Sequence, residues 1–162
     1  MVMRTPGMKV TVPARRRGFS MVELIVAIAI VGILAAIAVP AYNAQVRKSR
    51  RTDARTALLD LAGREEKLNS TMSKYSTNFT DLGWTADTHP MLVGSGYYTM
   101  DVVVTVPAAG SGLPYAYTLT AVPAGGSDQV NDTSCQTFTV NSLGTQTSFD
   151  GGGADTTATC WH

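Results

Sequence analysis

One carboxylate stands at the start of the most apolar stretch of the chain. Residues 15–42 read RRRGFSMVELIVAIAIVGILAAIAVPAY, so that Glu23 follows a basic cluster and a glycine and precedes a long uncharged run. An ionised carboxylate inside hydrocarbon costs about 3 kcal/mol even on lenient scales, and an anchor alone would be better served by leucine. The position of Glu23 therefore predicts a specific cationic partner for it.

The other residues that could do chemistry form no recognisable catalytic or metal-binding pattern. Asp150 and Asp155 flank three glycines, but two carboxylates are fewer than a dedicated calcium loop supplies. His89 and His162 have no partner at a usable spacing in the sequence. No Ser/His/Asp set, carboxylate pair or phosphate-binding loop stands out, so we expect no enzyme, no cofactor and no metal site.

The charges of the chain are unevenly distributed. All thirteen Lys and Arg lie at or before Lys74, whereas seven of the twelve acidic residues follow it. An acidic surface repels phosphate backbones, so we expect the C-terminal part of the chain not to bind nucleic acid. This part is also rich in Thr, Ser and Gly and carries two well-spaced cysteines, which suits an oxidising exterior.

The apolar run has the length of a membrane span. Residues 24–39 would form ~24 Å of helix and residues 19–42 would form ~36 Å, which brackets the ~30 Å hydrocarbon core of a bilayer. Five basic residues precede the run and five follow it within a short distance, so charge counting does not orient it. The exterior character of the later residues places the N-terminus in the cytoplasm. A cleaved secretory signal is disfavoured, because the run passes through Pro40 into a helical pattern instead of ending in a cleavage zone.

The stretch GFSMVELIVAIAIVGILAAIAVPAY resembles the N-terminal segment of type IV pilins. The resemblance implies that residues 1–18 are a leader, that a prepilin peptidase cuts between Gly18 and Phe19, and that the new amine of Phe19 is methylated. It also implies that Glu23 pairs with the N-terminal ammonium of a neighbouring subunit in the fibre. Related pilins are thought to lose helicity between the positions of Gly32 and Pro40 on assembly, and a simple kink at Pro40 is the alternative.

The pattern becomes amphipathic in residues 43–75. A stripe of apolar residues recurs at helical spacing and predicts a face packed on other elements: Ala54, Ala57, Leu58, Leu61, Leu68, Met72 and Tyr75. The opposite face carries five cations, here called the basic collar: Arg47, Lys48, Arg50, Arg51 and Arg55. Two interpretations of the collar stay open, namely contact with lipid head groups and pairing with the acidic heads of adjacent subunits.

Residues 76–162 have the two-residue periodicity of strands. Strands are predicted in residues 97–106 and 115–122, around residues 135–140, and in a short edge segment through Thr147. We therefore expect an α+β fold, in which a long N-terminal helix packs on an antiparallel sheet of about four strands. The predicted organisation is a leader (1–18), a transmembrane and fibre-core helix (19–42), an amphipathic helix (43–75) and a β-sheet head (76–162).

The C-terminal cysteines extend the resemblance. Cys135 and Cys160 bracket the last hairpin and a glycine-rich tail, as in the C-terminal disulfide loop of pilins, and the sequence is most similar to PilE-type minor pilins. A disulfide here would contribute ~3 kcal/mol in the chain-entropy model. The resemblance implies a minor or major subunit of a type IV pilus, active in motility and adhesion, with a pseudopilin of type II secretion as the alternative. The implied partners are a prepilin peptidase, other pilin subunits, the inner-membrane assembly machinery and, before assembly, membrane lipid.

Overall fold

The computed structural model describes residues 18–108 and 115–161 and confirms the predicted α+β class. The predicted leader, apart from Gly18, lies outside the described residues, as does His162. The chain forms two compact units that divide between Pro40 and Ala41. In chain order the elements are α1 (Met21–Met72), β1 (Met91–Val93), β2 (Tyr98–Thr105), β3 (Ala116–Pro123), a 3-10 turn (Asp128–Asn131), β4 (Thr137–Asn141), β5 (Gln146–Phe149) and α2 (Thr157–Cys160).

The first unit contains the apolar part of α1. Every side chain from Phe19 to Val39 is exposed, including leucine, isoleucine and valine residues that would normally be buried. The helix is long and apolar enough to span a membrane. It includes both Gly32 and Pro40, so these residues do not interrupt the helix in the isolated chain. Melting between them in a fibre remains a prediction.

The second unit contains a five-stranded antiparallel sheet in the order β1-β2-β3-β4-β5. The sequence predicted about four strands, and the additional one is β1. With three residues, β1 is too short for alternation to reveal it. Its register pairs Met91 with Met100 and Val93 with Tyr98, so that the buried residues of β1 extend the buried face of β2.

The core lies between the second half of α1 and one face of the sheet. Three positions of the predicted stripe, Ala54, Leu58 and Leu61, are fully buried there. They pack with residues of the strands and the C-terminus: Tyr98, Met100, Val102, Tyr117, Leu119, Ala121, Phe138, Val140, Cys135, Cys160 and Trp161. The stripe residues Ala57, Leu68 and Tyr75 are partly buried and pack against this core, whereas Met72 is exposed. The helix itself ends at Met72, three residues before the predicted end at residue 75. Glu65 occupies a fully buried position of the stripe, which the sequence analysis did not predict.

The C-terminal segment is fastened to the sheet by a disulfide and an indole hydrogen bond. Cys135 and Cys160 are bonded, with their Cα atoms 5.9 Å apart, as the resemblance implied. Trp161 donates a hydrogen bond from Nε1 to the carbonyl oxygen of Thr147 at 2.8 Å, and its ring meets that of Phe138 edge to face. The bond and the ring contact hold the glycine-rich loop and α2 against β4 and β5.

Candidate assembly surface and basic collar

The predicted processing and pairing residues lie together at the beginning of α1. Gly18 and Phe19 precede the helix, and Glu23 lies in its first turn. The N–H of Leu24 donates to the carbonyl oxygen of Ser20 at 3.1 Å, so the helical turn already begins next to Phe19. A free amine at Phe19 would thus lie about one turn from the Glu23 carboxylate. The chemistry available here is charge pairing.

The surface around Glu23 is apolar and uncovered. Glu23 is the only charged residue between Phe19 and Val46, and none of the side chains in the apolar part of α1 is buried. Soluble monomers rarely expose a contiguous apolar surface of this extent, and such surfaces mark protein or membrane contacts. Residues 19–42 therefore form a surface suited to a bilayer or to the helices of other subunits.

Three of the five collar cations bind acidic residues of their own chain. Arg51 makes a bidentate contact with Asp132, with both N···O distances 2.7 Å and both side chains largely buried. Arg47 and Arg50 each approach Asp128 at 3.6 Å. Both interpretations of the sequence assigned these cations to lipid or to adjacent subunits, whereas their partners are the first residue of the 3-10 turn, Asp128, and the residue that follows the turn, Asp132. The sequence could not reveal pairs that are separated by about eighty residues.

A buried polar network extends from the Arg51 pair into the core. Gln129 donates from Nε2 to Tyr98 Oη at 2.9 Å, to Asp132 Oδ2 at 3.0 Å and to the carbonyl oxygen of Arg47 at 3.2 Å. Burial, followed by the charge of Asp132, raises the pKa of Tyr98, which therefore stays a neutral phenol. The network joins α1, β2 and the 3-10 turn. No sequence motif marked Gln129 or Asp132 beforehand.

Lys48 and Arg55 form no ion pair within the part of the chain that the structure describes. They line a groove of about 230 Å³ together with Arg51 and residues of α2. Arg55 donates to the hydroxyl oxygen of Thr52 at 3.1 Å. Lys48 and Arg55 are therefore the collar residues whose positive charge is most available to bind an anion.

The glycine-rich loop is closed by one of its own aspartates. Asp150 Oδ1 accepts hydrogen bonds from the N–H groups of Gly152 and Ala154, both at 2.8 Å. Across residues 18–108 and 115–161, no group of three or more His, Cys, Asp or Glu side chains is arranged to hold a metal ion. The arrangement is that of a tight turn.

Comparison with known proteins adds two family matches. Residues 40–139 match the family described as "Type IV minor pilin ComP, DNA uptake sequence receptor". Residues 13–39 match the prokaryotic N-terminal methylation motif. The second match covers Gly18, Phe19 and Glu23, and the first covers the collar and most of the sheet.

Relatives among characterised proteins are pilins and fimbrial proteins. The chain is 38% identical to fimbrial protein EcpC of Eikenella corrodens over 59% of its own length and 58% of that relative. It is 36% identical to the type IV major pilin protein PilA of Myxococcus xanthus over 43% of its length and 32% of that relative. Each alignment thus spans less than two thirds of the relative. Because the family match covers more than half of the chain and the fold agrees with it, the chain belongs to the type IV minor pilin ComP family.

Proposed function

We propose that the protein is a minor structural subunit of a type IV pilus that polymerises through residues 19–42. The observation that carries the proposal is the fully exposed apolar helix with Glu23 as its single charge. The family consists of structural pilins and is not known as an enzyme family. Exposed apolar surface of this kind is stable only in a bilayer or in a bundle of helices.

Processing by a prepilin peptidase is the first step that we propose. Cleavage between Gly18 and Phe19 removes five basic residues and creates an amine one helical turn from Glu23. The methylation motif across residues 13–39 supports this step. Before assembly the subunit would cross the inner membrane once, with its N-terminus in the cytoplasm.

Glu23 then acts in assembly. In the membrane its carboxylate is offset by the amine of the same chain, and in the fibre by the amine of a neighbouring subunit. Removing one partner of a buried charge pair costs about 3–5 kcal/mol, so the pair would select the correct axial position of an incoming subunit. A carboxylate that only interacts with the helix dipole would contribute about 0.3–1 kcal/mol, which is too little for this role.

Two variants separate processing from assembly. Mass spectrometry of the wild-type chain should show an N-terminus at Phe19 with one added methyl group, and Gly18→Glu should accumulate as an uncut precursor. Glu23→Leu should insert into the membrane at least as well as wild type and yet enter filaments poorly. A mature N-terminus near Ala38, or normal incorporation of Glu23→Leu into sheared surface filaments, would contradict the proposal.

A role as a pseudopilin in type II secretion is the alternative, since it would use the same leader and helix. The match to a minor pilin family favours the pilus. Overexpression followed by examination of sheared surface filaments distinguishes the two, because a secretion pseudopilin should be nearly absent from them. Roles in twitching motility and adhesion belong to the same proposal and are tested by the corresponding assays on a deletion strain.

DNA binding is a second candidate function, because the description of the matched family names a DNA uptake sequence receptor. Nucleic-acid affinity depends mainly on Lys and Arg that neutralise phosphates. In this chain no Lys or Arg follows Lys74, and three collar arginines already face Asp128 or Asp132. We therefore expect the head to bind duplex DNA weakly, with the residual binding at Lys48 and Arg55.

A further inference from the structure

Residues 73–90, here called the connecting segment, join α1 to β1 and contain no helix or strand. The segment lies over the last turns of α1. The Ser76 N–H bonds to the Glu65 side chain, and Arg64 Nη1 donates to the carbonyl oxygen of Leu82 at 3.0 Å. Phe79 is fully buried and anchors the middle of the segment in the core.

Glu65 holds the start of the segment with a carboxylate that is cut off from solvent. Its Oε2 accepts the Ser76 N–H at 3.1 Å, while its Oε1 is buried without a hydrogen-bond partner among the described residues. Burial raises the pKa of Glu65 to about 7, against the lowering effect of the Ser76 hydrogen bond. A protonated Glu65 therefore fits the docked segment, whereas an ionised one leaves a buried charge with a single donor.

The groups around Glu65 provide no compensating cation. The titratable groups that face it are Glu66 of α1, Asp81 and Tyr75 of the connecting segment, and Tyr117 of β3. The adjacent Arg64 is directed elsewhere: it pairs with Asp60 at 2.8 Å and lies over the Trp84 ring at 4.2 Å. Ionisation of Glu65 is thus opposed by burial and by two carboxylates.

His89 holds the other end of the segment between two carboxylates. Its Nδ1 lies 2.7 Å from Asp101 Oδ1 on β2, and its Nε2 lies 3.1 Å from Asp87 Oδ1. The same Asp87 oxygen accepts the N–H of Phe79 at 2.9 Å. The contact with Asp101, helped by Asp87, raises the pKa of His89. A neutral imidazole has one N–H, so deprotonation turns one of the two contacts into a repulsion between acceptors.

We propose that the connecting segment is a proton-controlled flap, docked when Glu65 is protonated and His89 is cationic and released progressively as the pH rises through neutrality. Both groups act in the same direction, although one is an acid and the other a base. Each binds its proton more tightly in the docked state, so docking is strongest at acidic pH and weakens as the protons leave. The inference goes beyond the pilus function and does not depend on it.

Hydrogen exchange of the full-length chain in detergent micelles measures the opening of the segment directly. The pKa of Glu65 is 4.5 when the segment is open and about 7 when it is docked. Ionisation of Glu65 alone should therefore raise the equilibrium constant for opening of the segment about 30-fold between pH 5.5 and 8.5. After correction for intrinsic exchange, the amides of Ser76 and Phe79 should lose protection by this factor. Amides of β4 and β5, which contact neither group, should change by less than threefold.

Three variants test which side chains cause the pH dependence of the exchange protection. Glu65→Gln keeps an acceptor for the Ser76 N–H but cannot ionise, so it should flatten the pH profile of residues 74–82. His89→Gln should lower protection around residues 85–92 at pH 5.5 and remove their pH dependence. Glu66→Gln, a substitution of the exposed neighbouring carboxylate, is the matched control and should retain most of the wild-type slope.

The outcomes are distinguishable from a general loss of stability. The proposal would be overturned if the exchange protection of the connecting segment in the wild-type chain changed by less than threefold over this pH range. An undiminished slope in the double variant Glu65→Gln/His89→Gln, or an equal slope in β4 and β5, would also overturn it. Because His89 is partly exposed, His89→Gln keeps the proposal testable even if Glu65→Gln does not fold.

Discussion

Removal of the Asp132 side chain should destabilise the head more than removal of Asp128, the other acidic partner of the collar arginines. Asp132 accepts two N–H bonds from Arg51 at 2.7 Å, and the two side chains are only 6% and 13% exposed. Asp132→Ala leaves the guanidinium buried without its carboxylate and also removes a partner of Gln129. Breaking a buried pair from one side costs about 3–5 kcal/mol, and we expect a loss in that range.

The measurement is urea unfolding of a fragment of residues 41–162, monitored by tryptophan fluorescence. These residues form one compact unit that contains the whole core, the disulfide and both tryptophans. The matched control is Asp128→Ala, at the start of the 3-10 turn that Asp132 directly follows. Asp128 is 52% exposed and meets its arginines at 3.6 Å, so this change should cost less than about 1 kcal/mol.

A double-mutant cycle tests the cause of the loss. If the cost of Asp132→Ala is mainly that of an unpaired buried cation, Arg51→Met/Asp132→Ala should be more stable than Asp132→Ala alone, because the cation is gone as well. Equal effects of Asp132→Ala and Asp128→Ala, or strictly additive single losses in the cycle, would refute the reasoning. The network would then act through shape and packing alone.

The remaining predictions concern a turn, the disulfide and DNA. Gly94→Ala should lower the free energy of unfolding by about 2 kcal/mol, because Gly94 has φ +58° and an added Cβ would lie 3.0 Å from the Asp53 side chain. The control Gly125→Ala should leave it nearly unchanged, since no atom lies within 4 Å of a Cβ added there. Cys160→Ala should cost about 3 kcal/mol, and a reductant should destabilise the wild type but not the variant. The 41–162 fragment should bind duplex DNA more weakly than micromolar at about 150 mM salt, and neutralising Lys48 and Arg55 should abolish that binding. Salt-sensitive, submicromolar binding that survives neutralisation of the whole collar would show that the expectation for DNA is wrong.

Features that depend on the local order of residues could be predicted from the sequence alone. The apolar run with its early carboxylate, the helical stripe around Leu58 and the alternation of β2 and β3 are periodic patterns, and each appears in the structure where it was predicted. The type IV pilin family could be identified from the N-terminal motif, because this motif is contiguous and specific. The pairing of the two cysteines followed from the family pattern.

The contacts between distant polar groups, in contrast, depend on how the chain folds and could not be predicted from the sequence. Arg51 and Asp132 are 81 positions apart, and His89 finds Asp101 across a turn of the chain, so no spacing rule could connect them. Glu65 sits in a stripe whose other members are apolar, and a carboxylate there is normally placed on the solvent side by sequence reasoning. Its burial depends on the path of residues 73–90, a segment without periodicity. The environments of Glu65 and His89 therefore depend on packing between distant segments, whereas the exposed apolar surface of residues 19–42 follows from consecutive residues.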